Sequence, residues 1–142
     1  MANEAFEKIT VETSIRAPME QVWRCWTEPT HIQQWNHASE DWHTTYVENR
    51  AEPGAKFCWR MEAKDGSFGF DFTGTYQFVK TYEMIQYLMD DGRHVEIRFQ
   101  AENDQVTVTE TFEAENMNSL ELQQQGWQAI LNNFKKHTEG CK

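Results

Sequence analysis

The chain has 142 residues, 23 acidic against 13 basic side chains and a net charge of −10, a size that fits one domain spanning residues 1–142. So negative a field repels phosphate backbones and anionic lipid surfaces, which argues against nucleic acid as a partner. No apolar stretch approaches the length of a membrane span, so no membrane insertion is expected.

The first periodic segment is ITVETSIR, residues 9–16, where Ile9, Val11, Thr13 and Ile15 alternate with polar partners as in a half-buried strand. Pro18 then suits the first turn of a helix, where a missing N–H is no loss. Met19, Val22, Trp23 and Trp26 recur at helical spacing and form one apolar stripe. Glu28-Pro29 ends that helix, because proline disfavours helical geometry in the residue before it. His31, Ile32 and Trp35 fit a second, shorter helix.

From Trp42 to Glu113 the period becomes two. KFCWRMEA puts Phe57, Trp59, Met61 and Ala63 on one face. FGFDFTGTYQF does the same with Phe68, Phe70, Phe72, Gly74, Tyr76 and Phe78. Asp65-Gly66 and Asp91-Gly92 mark turns, IQYLM lies between them, and HVEIRFQA carries Val95, Ile97 and Phe99 inward. QVTVTETFE returns with Val106, Val108 and Phe112, so the segment predicts consecutive antiparallel strands in a meander. Asn118 followed by Glu121 fits a capping box for a long last helix. Its stripe runs through Leu120, Gln123, Trp127, Ile130, Leu131 and Phe134. The expected class is α+β: a curved antiparallel sheet around the C-terminal helix, with two short helices after the first strand.

Nine Phe, six Trp and four Tyr are generous for this length and suggest a core of rings or a ring-lined pocket. The inward candidates are Trp42, Tyr46, Trp59, Met61, Phe70, Phe72, Tyr76 and Tyr87. The parity of Trp42 and Tyr46 has an alternative, in which His43, Thr45 and Val47 face inward. Gln123 and Leu131 join Trp127 on the helical stripe.

Glu110 shares strand parity with Val106, Val108 and Phe112 and should point inward with no cation beside it. Such a carboxyl should be protonated or hydrogen-bonded, with Tyr76, Tyr87 and Gln123 as partners. A β-bulge that exposes it is the alternative. Gly126 lies mid-helix, where close helix–sheet contact is the favoured reason for a residue with no side chain and room for a ligand is the alternative.

His31, His37, Asp41 and His43 match no zinc spacing and are read as solvated loop groups, so no metal and no cofactor is expected. Cys25, Cys58 and Cys141 are odd in number, without a C-x-x-C pair, and fit reduced thiols. MANEAFEKIT lacks a basic region followed by an apolar run, so the expected location is the cytoplasm.

The element order, with RAPMEQVWRCWTEPTHIQQW near the start and GWQAILNNFKKH at the end, resembles the START-like superfamily with the helix-grip fold. More narrowly the chain resembles its branch of heat-shock-chaperone ATPase-activator homologues. The resemblance implies a cavity between sheet and helix, with Trp35 closing its mouth, that holds a small, largely apolar, aromatic or lipid-like molecule. A protein-interaction module related to the chaperone activators is the second reading; a cyclase- or hydrolase-type enzyme using Glu110, its one catalytic candidate, is the third. A homodimer and a chaperone are the protein partners left open.

Overall fold

The computed structural model describes residues 6–141; the first five residues, on which the expectation of no leader partly rests, lie outside them. Chain order is β1 (Lys8–Ile15), α1 (Met19–Thr27), α2 (Pro29–Trp35), β2 (Trp42–Glu48), β3 (Lys56–Ala63), β4 (Gly69–Lys80), β5 (Met84–Met89), β6 (His94–Glu102), β7 (Gln105–Glu113) and α3 (Leu120–Gly140). All seven strands form one antiparallel sheet, ordered β1-β7-β6-β5-β4-β3-β2. The last six strands are thus a simple meander, and the first strand crosses back to pair with the last.

The inward faces of β5, β6 and β7 alternate cleanly, burying Ile85, Tyr87, Val95, Ile97, Phe99, Val106, Val108 and Phe112. Against that face α3 presents Leu131 and Phe134, both essentially inaccessible to solvent. Its Trp127 ring stacks on Phe112 at 3.9 Å and 9°. The helix starts at Ser119, whose hydroxyl accepts from the Leu122 amide at 3.0 Å. The cap is therefore one residue later than the expected Asn118. Asn118 instead binds the Glu115 carboxylate in the preceding turn.

Two register shifts set which aromatics face inward. In β2 Thr44 lies opposite Met61 and Tyr46 opposite Arg60, so Thr45 is an extra residue in the ladder. A bulge of that kind reverses the side-chain alternation beyond it. Thr44 and Val47 consequently turn towards the interior and Tyr46 turns out, 55% exposed. The expected inward placement of Tyr46 is corrected by this one residue. In β4 the same happens at Gln77, since Tyr76 lies opposite Tyr87 but Phe78 opposite Gln86. Phe78 is exposed as a result, and Phe68, expected on the inward face, lies exposed just before β4.

Gly74 permits the close approach on which this corner depends. A Cβ there would lie 2.7 Å from the Phe57 ring and 2.7 Å from the Leu88 carbonyl, so any side chain would force them apart. Gly126 is the opposite case: a Cβ would meet nothing within 4 Å. Close helix–sheet contact, the favoured reason for that glycine, is not found.

Candidate functional site

The short helices are placed by their tryptophans. Trp26 packs edge-to-face on Phe134 and Phe99, with centroids at 4.7 and 5.8 Å. Trp23 covers Phe99 and Tyr82 at the rim. Trp35 is nearly inaccessible, and its indole N–H donates to the Cys25 carbonyl at 2.8 Å, which ties α2 to α1. An indole needs such a partner once buried. Trp35 then meets Trp59 of β3 and Phe134 of α3 edge-on.

Between these rings and the sheet lies a cavity of about 140 Å³. Trp26 and Trp35 wall it from the short helices, Trp59, Met61, Phe70 and Phe72 from β3 and β4, and Trp127, Ile130 and Leu131 from α3. Its polar groups are few: the Asn36 amide, the Tyr87 phenol and the Glu110 carboxyl. The Asn36 amide is committed, donating to the Thr44 hydroxyl at 3.2 Å. Phe70 is 40% exposed while also lining the cavity, so it stands at the mouth. Trp35, which was expected there, is an inner wall instead.

Glu110 is the group with the most distinctive surroundings. Its strand neighbours across the ladder are Val11 on one side and Ile97 on the other, and neither can solvate a charge. No protein hydrogen bond reaches its carboxyl among the described residues. Burial alone pushes this acid from its ordinary 4.5 to about 8, so at neutral pH it is mainly protonated. Tyr87, also fully enclosed, is pushed well above its ordinary value by burial, with the Glu110 charge adding to the effect. The site therefore offers two neutral hydroxyl-bearing groups inside an aromatic wall.

Four expected site residues lie elsewhere. Tyr46 faces solvent, and Trp42 packs on Phe68 and Phe70 beside the mouth without lining the cavity. Tyr76 is buried but donates to Asn49 Oδ1 at 2.6 Å, the atom that also accepts from the Trp59 indole at 3.1 Å. Gln123 is turned to the β7–α3 connection, where it donates to the Glu115 and Asn118 carbonyls and accepts from the Glu115 amide. Neither Tyr76 nor Gln123 is the Glu110 partner that parity suggested. Asn36, Trp26 and Ile130 line the cavity and were not among the sequence candidates. Helical spacing beside Leu131 and Trp127 carried a signal for Ile130, while nothing local to Asn36 distinguished it.

A curved antiparallel sheet closed by two short helices and a long C-terminal helix is the helix-grip architecture of the START-like superfamily. The chain belongs to the family described as Activator of Hsp90 ATPase homolog 1-like protein, whose model matches residues 16–139. An AHSA1-like protein from Aeromonas hydrophila, solved in solution, is 46% identical over 94% of this chain and 92% of its own, with a TM-score of 0.88. A Cytophaga hutchinsonii protein is 48% identical over 93% and 92%, with a TM-score of 0.82. A Chromobacterium violaceum protein at 20% identity shares the fold, with a TM-score of 0.84 over 94% and 98% of the two chains. No curated protein matches the chain. Among the described residues no helix is long and apolar enough to cross a membrane.

Proposed function

We propose that this protein binds a small, largely apolar molecule, aromatic and bearing one hydrogen-bonding group, in the cavity between sheet and α3. The observation that carries the reading is a tryptophan-walled space whose single carboxyl, Glu110, has no protein partner among the described residues. Apolar walls with one or two placed polar groups are how small ligands are held and oriented. A protonated Glu110 can donate to a ligand oxygen, and the Tyr87 phenol offers a second contact. The volume limits the guest. An apolar cavity of about 150 Å³ holds benzene, so about 140 Å³ fits a single substituted ring without rearrangement. The walls favour a binding role over a catalytic one, because Glu110 is not paired with a nucleophile among the cavity residues.

p-Cresol tests this, since its ring matches the space and its hydroxyl matches Glu110. At roughly 0.6 kcal/mol per non-hydrogen atom, eight such atoms give about 5 kcal/mol and a dissociation constant of a few tenths of a millimolar. Indole N–H resonances of Trp35, Trp59 and Trp127 should shift saturably in that range, and Trp59→Ala should weaken the binding. Shifts that never saturate, or that fall on surface residues, would refute the cavity reading.

A further inference from the structure

Apart from the residues that line the cavity, three separate segments bring four side chains to one point. Cys25 comes from the last turn of α1, and His31 from the first turn of α2. His137 comes from the last turn of α3, and Cys141 from its C-cap, one helical turn further on. We propose that Cys25, His31, His137 and Cys141 form a tetrahedral site for a divalent metal ion, zinc by preference, which ties the end of α3 to the α1–α2 pair.

The geometry is specific. One ligand atom from each residue can be chosen so that all four lie within 4.8 Å of one another. His31 Nδ1 is 2.8 Å from His137 Nε2, and Cys141 Sγ is 3.6 Å from His137 Nε2 and 4.0 Å from His31 Nδ1. A tetrahedron with Zn–S of about 2.3 Å and Zn–N of about 2.05 Å has edges of about 3.4 Å (N–N), 3.6 Å (N–S) and 3.8 Å (S–S). Each of the three separations lies within about 0.6 Å of its ideal edge. An ion at the centre would spread the imidazoles and draw Cys141 slightly inward.

The donor set and its surroundings agree with that assignment. Two thiolates and two imidazoles form a soft, closed set that selects zinc over oxygen-seeking cations such as magnesium or calcium. On binding, each thiol proton passes to solvent, and the two thiolates cancel the charge of the ion, so no net charge is buried. Ligand histidines commonly donate the other ring N–H to a carboxylate, and the half-exposed Glu28, its Oε1 4.0 Å from His31 Nε2, would need to move closer to take that role. The buried Thr138 hydroxyl faces Cys25 and makes no other hydrogen bond among the described residues. A metal-bound Cys25 thiolate is the acceptor that hydroxyl needs. The end of α3 is already held in place, because the Gln21 amide donates to both the Thr138 and Cys141 carbonyls at 2.7 Å.

The test is a titration of reduced, metal-free protein with zinc against a chromophoric chelator, with cobalt as a spectroscopic substitute. One equivalent should bind per chain. The cobalt form should show thiolate-to-metal charge transfer together with the ligand-field bands of a tetrahedral ion. His137 and Cys141 lie in the last turn and C-cap of α3 and are only half-buried, so Cys141→Ser and His137→Gln should both fold, as helical circular dichroism will show. Each should weaken binding by at least about 100-fold, since even loss of an outer-shell partner costs 10–100-fold. Cys58→Ser should leave binding unchanged. Absence of the thiolate bands, or undiminished affinity in both chain-end variants, would overturn the proposal. So would a Cys25–Cys141 disulfide in protein isolated without oxidant.

Discussion

Replacing Glu110 with glutamine keeps the shape of the side chain and removes its charge, so it isolates what burial does to this one acid. The folded protein holds the proton up to about 8, whereas the unfolded chain releases it near the ordinary 4.5. Stability from the protonated form is therefore complete below about 4.5 and is lost as pH rises towards 8, because there only the folded state binds the proton. Each pH unit across that window costs about 1.4 kcal/mol, so the upper limit at pH 8 is about 4 kcal/mol. Water in the cavity would solvate the carboxylate and reduce the figure, and the glutamine amide itself costs about 1 kcal/mol for an unmatched polar group. The variant should consequently be no more stable than the parent at pH 4.5 and more stable by about 1–2 kcal/mol at pH 8. Urea unfolding of both proteins at half-unit pH steps measures the difference directly, and all other titrating groups cancel in the subtraction. A difference that does not change between pH 4.5 and 8 would refute the argument and show an acid already solvated or paired.

Two further substitutions test features of the frame around the cavity. Gly126→Ala should stabilise the protein by about 0.5–1 kcal/mol, because a methyl there meets nothing and alanine is the better helix former; a loss in thermal denaturation would show a contact that the backbone does not reveal. Asn49→Ala should cost about 2–4 kcal/mol in urea unfolding, since it strands the Tyr76 hydroxyl, the Trp59 indole and the Thr27 carbonyl at once; a cost under about 1 kcal/mol would mean that water replaces the amide.

Element order, strand alternation and the inward carboxyl at Glu110 were legible in the sequence because each is a local periodicity. What was not legible depended on single insertions or on distance. One extra residue at Thr45 decides that Tyr46 faces water, yet nothing in WHTTYVE marks which threonine is surplus. Gln123 looked like a cavity group because helical spacing reports the face of a helix and not how far along it the cavity extends. It sits one turn before the cavity begins, where the chain turns back from β7. His31 was weighed with its neighbours His37 and His43, whereas the fold sets it against His137, more than a hundred positions away. Metal motifs read as short spacings are blind to a cluster assembled by three helices.

The pairing of β1 with β7 also has a consequence for how the protein is made. Lys8 lies opposite Glu113 and Ile15 opposite Val106, so β1 emerges from the ribosome long before the strand it pairs with. The meander from β2 to β7 can zip up strand by strand through short turns, each a local event. The closing of β1 onto β7 spans the longest loop in the sheet, and α3, which packs on β1, emerges later still. A meander assembled before α3 docks would leave Trp59, Phe72 and Tyr87 of the concave face uncovered. Docking of α3, which sets Trp127 on Phe112 and Phe72, is the step that covers this wall.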